Sequence, residues 1–303
     1  MMKKVFLCEF IHPDAYAYLK ANAEIISSWE RFGEADAVID RNFKMTAERM
    51  DQGKCLKVIG VHGTGTDDID LEAARQRGIQ VFSVPHQNAQ SVAEMNVALM
   101  LTLGRKIFLA DRMLRNKPDQ EGGNLFAKLQ GTEFHEKILG LIGVGDISKR
   151  TAMICQQGFG MQVIGWSRHL SDEEAKVLNV EKCQTMDAVF ERADVIVIGL
   201  SLESSTRRLI GMEQFIKMKP GAILINSTRG AILDEKALYD ALKSGTVSGA
   251  ACDVFEEEPV AKDHPLLSLD NFIGTPHLGA NTDEALKRVG MAVVQGVLER
   301  LNN

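Results

Sequence analysis

Five cysteines in 303 residues, scattered and never spaced Cys-x-x-Cys, provide neither a disulfide framework nor a zinc site. Cys8, Cys55, Cys155, Cys183 and Cys252 fit the reduced thiols of a cytosolic protein. Long apolar runs are missing as well. The most apolar stretch, residues 97–103, stops at Gly104-Arg105-Lys106, far short of the roughly 20 residues that a membrane span needs. Near the N-terminus the run 5–8 is broken at once by Glu9, which argues against a secretory signal. Basic charge is not in excess: 35 Lys and Arg stand against 41 Asp and Glu, a net charge of -6. A non-specific binder of nucleic acid or anionic membrane usually carries a basic stripe. No internal repeat or low-complexity tract occurs. These absences lead us to expect a soluble, cytoplasmic protein with no metal site, no nucleic-acid partner and no membrane partner.

What is present is an ordinary globular composition, 45% hydrophobic and 25% charged. The length suits about two domains of roughly 100–200 residues each. Short apolar runs alternate with amphipathic ones. Strands are predicted at residues 3–9, 35–39, 56–61 and 79–84, with helices at 14–21 and at 70–77, the latter stopped by Gly78. A second alternating run has strands at 137–142, 161–166, 193–200, 222–226 and 247–252, with helices at 146–157 and 234–244. Such alternation implies parallel sheets covered on both faces. Between the two runs, 91–116 reads as one long helix, with Ser91 and Glu94 in a capping-box pattern and an apolar, buried first half. Residues 117–131 are polar and Gly-rich, a loop at a boundary.

The strand at 137–142 runs into Gly143-Val144-Gly145-Asp146-Ile147-Ser148 and then a helix. A dinucleotide fingerprint needs a first glycine for a tight turn and a second to let backbone approach the pyrophosphate. It needs a third small residue so that helix and strand pack closely. The helix N-terminus supplies amide donors and partial positive charge. Ser148 stands at the third position, small but not glycine. The next strand ends in Ser167-Arg168-His169, where an acid would bind the ribose 2′-hydroxyl and an arginine can accommodate a 2′-phosphate. NADP is therefore favoured as cofactor, with NAD as the alternative.

Further motifs follow: Asn226-Ser227-Thr228-Arg229-Gly230, Asp253-Val254-Phe255-Glu256-Glu257-Glu258-Pro259, and Pro276-His277-Leu278-Gly279-Ala280. With Gly63-Thr64-Gly65-Thr66-Asp67-Asp68-Ile69-Asp70 and Ser91-Val92-Ala93-Glu94, their order and spacing closely resemble the D-isomer-specific 2-hydroxyacid dehydrogenases. The resemblance covers essentially the whole chain. It implies an α/β fold of two Rossmann-like doubly wound parallel-sheet domains with the active site in the cleft between them. It further implies a substrate domain at 1–98 with 277–303, a dinucleotide domain at 99–276, and a homodimer.

The resemblance also implies roles. Arg229, Glu258 and His277 would be catalytic. Arg229, with the amides around His62, Gly63, Thr64 and Gly65, would bind the substrate carboxylate. Gly143, Gly145, Asp146, Ile147, Ser167, Arg168, Leu200, Thr228, Asp253 and Asn96 would line the cofactor, Asp253 and Asn96 near the nicotinamide. The chemistry fits these residue types. Reducing a 2-oxo acid needs a cation to hold the carboxylate and polarise the carbonyl. It also needs a proton donor near neutral pH, the task of a histidine steadied by a carboxylate. Departures from the family pattern are Pro85-His86 for the common Pro-Gly, Asn96 for a frequent threonine, and Ile198-Gly199-Leu200-Ser201 for a histidine- and proline-containing stretch.

Small 2-oxo acids such as glyoxylate or hydroxypyruvate are the expected substrates. A phosphoglycerate-type enzyme is the alternative, although the chain is too short for an appended regulatory domain. A formate-type relative would carry glutamine at position 258. A dinucleotide-sensing corepressor is disfavoured by the lack of long tails and basic segments.

Overall fold

The computed structural model describes residues 2–116 and 127–302. The larger part of the Gly-rich stretch at 117–131, namely 117–126, lies outside the described residues. The chain divides into two compact units, Met1–Asn88 with Ala280–Asn303, and Ala89–Gly279.

The first unit is built on five parallel strands: β1 Lys4–Leu7, β2 Glu24–Ile26, β3 Ala37–Asp40, β4 Val58–Val61 and β5 Gln80–Ser83. Their order is β2-β1-β3-β4-β5, a doubly wound arrangement whose direction reverses between β1 and β3. β3 and β4 are buried at every position, as strands covered on both faces must be. Asp70 accepts from Ala73 N at 2.9 Å and starts the helix Leu71–Gln76, which Gly78 in a left-handed conformation terminates. The helix Asp283–Asn302 covers one sheet face. Val289, Val293 and Val297 are 0–3% exposed and share a core with Val5, Ile39 and Val58. Gly60 on β4 lets this helix approach, since an added Cβ would lie 2.8 and 2.9 Å from Val297 and Val293 methyls.

The second unit has seven parallel strands: β6 Ile138–Ile142, β7 Gln162–Trp166, β8 Glu181–Lys182, β9 Val195–Ile198, β10 Ile223–Asn226, β11 Gly249–Cys252 and β12 Phe272–Gly274. The order β12-β11-β10-β9-β6-β7-β8 is that of a dinucleotide fold, with its switch point between β6 and β9. β9 is Val-Ile-Val-Ile and entirely buried, the apolar signature of a central parallel strand. β11 is Gly-Ala-Ala-Cys; its small side chains let Leu103 of the overlying helix within 3.3 Å of where a Cβ on Gly249 would stand.

The single helix expected over 91–116 is two helices, Ala89–Gly104 and Ile107–Asn116. Gly104 gives up its side-chain space to the Phe134 ring, and Lys106 turns left-handed at φ +53° while its N–H closes onto Leu103 O at 3.1 Å. Ser91 lies inside the first helix, which starts at Ala89, so it is no N-cap. The expected domain edge at 98/99 would cut this helix. The whole helix belongs to the second unit because its buried side packs on that sheet. The short strands β2, β8 and β12 carry too few residues for an apolar period and are absent from the sequence reading.

Candidate active site

Three loops at the C-terminal ends of β10, β11 and β12 carry Arg229, Glu258 and His277. After β10, the fully buried Asn226 organises the turn. Its Oδ1 accepts from Thr228 N at 3.2 Å and Thr228 Oγ1 at 3.0 Å, while its Nδ2 donates to Arg229 O at 3.0 Å. This is an Asx-type turn, in which a side-chain amide replaces backbone partners. Arg229 follows in extended conformation, with one Nη donating to Thr228 O at 2.7 Å. Gly230 then lies directly against the Phe255–Glu256 peptide, where no side chain fits. That close approach brings the Arg229 turn beside the loop that carries Glu258.

Asp253, 1% exposed at the end of β11, holds the third loop. Its Oδ1 accepts from Thr275 Oγ1 at 2.6 Å and Leu278 N at 2.8 Å, and its Oδ2 accepts from Gly279 N at 2.7 Å. His277 N donates to Asp253 O at 2.7 Å. These bonds keep His277 at φ +56°, a backbone conformation costing a β-carbon residue roughly 1 kcal/mol or more. The resemblance implies a cofactor contact for Asp253; what the structure shows is that its carboxylate fixes the histidine turn.

His277 Nδ1 stands 2.8 Å from Glu258 Oε2, and Glu258 Oε1 accepts from Phe255 N at 2.9 Å. Burial alone would raise the Glu258 carboxyl. The hydrogen bonds from His277 and Phe255, with the charges of His277 and Arg229, outweigh it and hold the group below the ordinary glutamate value. With Nδ1–H directed at a carboxylate, Nε2 is the nitrogen left for proton exchange. Glu258→Gln keeps the shape and removes the charge. In the oxidation direction its acidic limb is expected to move to lower pH, because protonating the imidazole becomes harder. A pH profile of kcat/KM coinciding with the parent's would refute the pairing.

The glycine loop lies at the switch point. Gly143 has φ +91° and donates to Trp166 O at 2.8 Å. Gly145 is the N-cap of the helix Asp146–Phe159 without a side-chain cap bond, and a Cβ there would meet nothing. The backbone at Gly145 is therefore open to close approach, as a phosphate cradle requires. Asp146 occupies the first helical position, and Ile147 and Ser148 complete the turn. Leu200 is 9% exposed just past β9. Ser167 and Arg168 follow β7, and the Arg168 guanidinium meets Glu203 Oε2 at 3.2 Å in an exposed pair. Nothing in the sequence pattern had singled out Glu203.

Asn96 is 1% exposed within a hydrogen-bonded chain: its Nδ2 donates to Thr151 Oγ1 at 3.2 Å and its Oδ1 accepts from Ser227 Oγ at 2.6 Å. It ties the helix Ala89–Gly104 to the glycine-loop helix and to the turn after β10.

His62, Gly63, Thr64 and Gly65 follow β4 in the first unit. Gly63 N bonds Val61 O and Gly63 O accepts from Val84 N, at 2.8 and 2.9 Å. His62 is buried with no partner for its Nε2 among the described residues, and burial, with the Arg41 charge, lowers its pKa to about 4. On the neighbouring strand, burial raises the Asp40 carboxyl to about 7. Folded protein thus keeps a proton on Asp40 that the unfolded chain releases near pH 4, so this group weakens stability as pH rises from about 4 to 7. His62 does the reverse, weakening it as pH falls from about 6.5 to 4. The two slopes oppose. Asp40→Asn should leave only the histidine slope, so protection of the β4 amides from hydrogen exchange should climb between pH 4 and 6.5 more steeply than in the parent. Parallel profiles would rule out this opposition.

An imidazole–carboxylate pair beside an arginine, all on a dinucleotide-type sheet, defines a dehydrogenase-like site. Residues 97–279 match the family described as D-isomer specific 2-hydroxyacid dehydrogenase, NAD binding domain. The chain is 39% identical to the D-3-phosphoglycerate dehydrogenase of Methanocaldococcus jannaschii, over 98% of this chain and 57% of that one, so it spans little more than half of that relative. It is 39% identical to the hydroxypyruvate reductase of Thermotoga maritima, over 88% of this chain and 85% of the other. Among solved structures, the putative D-isomer specific 2-hydroxyacid dehydrogenase from Polaromonas sp. JS6 66 superposes with a TM-score of 0.88 at 29% identity, covering 100% of this chain and 97% of that one. The chain belongs to the D-isomer specific 2-hydroxyacid dehydrogenase family. No helix among the described residues is long and apolar enough to cross a membrane.

Proposed function

We propose that this protein is an NAD(P)-dependent oxidoreductase that interconverts a small 2-oxo acid and its D-2-hydroxy acid. The 2.8 Å Nδ1–Oε2 pair of His277 and Glu258, next to Arg229, carries this reading. A bound nicotinamide dinucleotide supplies or accepts the hydride. The glycine turn at Gly143–Gly145 and the helix N-terminus after it hold its phosphates. Arg229 binds the substrate carboxylate and polarises the carbonyl. His277 gives the proton from Nε2 to the carbonyl oxygen during reduction, and takes it back during oxidation. Glu258 keeps Nδ1–H oriented and stabilises the imidazolium. Glyoxylate and hydroxypyruvate are the favoured substrates, in keeping with the hydroxypyruvate reductase relative. The phosphoglycerate dehydrogenase relative, equally identical, supports a phosphorylated hydroxy acid as the second reading. A panel of 2-oxo acids, with D-glycerate and D-3-phosphoglycerate in the reverse direction, separates these. Turnover of none of them with either cofactor would overturn the proposal. The working form is a homodimer in the cytoplasm.

For the cofactor, the proposal is NADPH over NADH. Ser167 offers no acid to repel a 2′-phosphate, and Arg168 offers several donors and a permanent charge. A phosphate dianion must displace the Glu203 carboxylate. An exposed pair is worth only about 0–1 kcal/mol, so the exchange favours the phosphate. Discrimination of roughly 10-fold in KM is expected. Arg168→Ala should erase most of it while leaving NADH use nearly intact, and Glu203→Gln should enlarge it. Equal KM values in the parent would refute the preference; an Arg168→Ala variant that still prefers NADPH would assign it to another cation.

A further inference from the structure

Two departures from the family pattern, Ser148 and the 198–201 stretch, meet at one point. Ile142 and Ile198 are register partners on β6 and β9, so Gly143 and Gly199 are the next residues out of adjacent strands. They leave the sheet at its switch point, where an open α/β sheet binds its ligand. The two glycines interlock: a Cβ on Gly143 would lie 2.5 Å from Gly199 O. A Cβ on Gly199 would fall on Ser148 Oγ and lie 2.6 Å from Gly143 O. The space a side chain at 199 would fill is therefore taken by the Ser148 hydroxyl. That hydroxyl is 0% exposed and has no hydrogen-bond partner among the described residues. Buried hydroxyls are almost always paired, so an orphan at the glycine turn and sheet switch point marks a place where a ligand atom completes the set.

We propose that Ser148 is a further cofactor-binding residue, its Oγ–H donating to a pyrophosphate oxygen, directly or through one water, with Gly199 keeping the room for it. This rests on the dinucleotide reading above. Serine at the third fingerprint position is then an added donor in place of the usual close helix–strand packing, and the glycine on β9's end compensates for its bulk. The donor acts on a group that NADH, NADPH and ADP share, so it contributes affinity without affecting the choice between the two dinucleotides.

The test is calorimetric titration of the full chain and its Ser148→Ala variant with ADP, adenosine, NADH and NADPH, together with melting of the ligand-free proteins. Ser148→Ala removes only the hydroxyl. We expect ADP, NADH and NADPH to bind about 10-fold more weakly, all by a similar factor, and adenosine to bind as before. The ligand-free variant should melt at the same temperature or a few degrees higher, because the unpaired hydroxyl is gone. A hydroxyl with a purely structural role would lower the melting temperature and leave ADP affinity unchanged. That result overturns the proposal, as does an equal loss for adenosine and ADP. If the parent binds neither ADP nor either dinucleotide, the cofactor reading itself has failed.

Discussion

Alanine in place of His277 is expected to lower kcat/KM for the best 2-oxo acid at least about 10²-fold, while the Kd for the dinucleotide stays within about twofold. General acid catalysis by a positioned side chain contributes roughly 10²–10⁴-fold, and His277 is the imidazole that Glu258 orients. Arg229→Ala should lose a similar factor for a different reason. An arginine that clamps a carboxylate and polarises a carbonyl is worth about 10²–10³-fold when removed. The two losses separate by pH. The His277→Ala reaction should lose the limb of the rate profile that reports the acid, whereas Arg229→Ala should keep that limb and raise KM. Both variants alter exposed or half-buried side chains and leave the core intact. Near-parent activity in either folded variant removes that residue from the mechanism.

Gly230→Ala is expected to be the most damaging glycine-to-alanine change among the described residues. An added Cβ would coincide with the Phe255–Glu256 peptide, so backbone rather than a yielding side chain must move. Overpacking of this kind costs about 1–3 kcal/mol and more when it displaces main chain, so a loss of roughly 3 kcal/mol or above is expected. The damage reaches the chemistry as well. Phe255 N is the donor that orients Glu258, and Arg229 precedes the glycine, so a shift of about 1 Å spreads to all three reacting side chains. Activity measured well below the melting temperature should fall at least about 10-fold. A variant with the parent's melting temperature and kcat/KM would show that the two loops are not coupled through this contact.

Much of this was legible in the residues themselves. The central strands are continuous apolar runs, and Asp70, Asp234, Gly78 and Gly245 punctuate their helices through their own side-chain or backbone chemistry. Arg229, Glu258 and His277 were legible because each lies in a recognisable string at a strand end. The support beneath them was not. Asp253 acts through bonds to residues up to 26 positions away, and a pattern in one dimension does not show where a carboxylate is used up. The Glu203–Arg168 pair escaped for the same reason, at a separation of 35 residues. The break at Lys106 comes just after Gly104, a poor helix former, whose missing side chain leaves room for the Phe134 ring.

The helix Asp283–Asn302 belongs to the first unit yet is made after the whole of the second. During synthesis, the Val5, Ile39 and Val58 side of the first sheet has only the Ala15 and Leu19 helix as cover until Val289, Val293 and Val297 emerge. The continuous segment Ala89–Gly279 has all its strands by then and can fold first. The nascent first unit thus waits, with an apolar sheet face only partly covered, for the helix Asp283–Asn302. Contacts of such long separation form slowly, and this is the stage at which the chain is most exposed to aggregation.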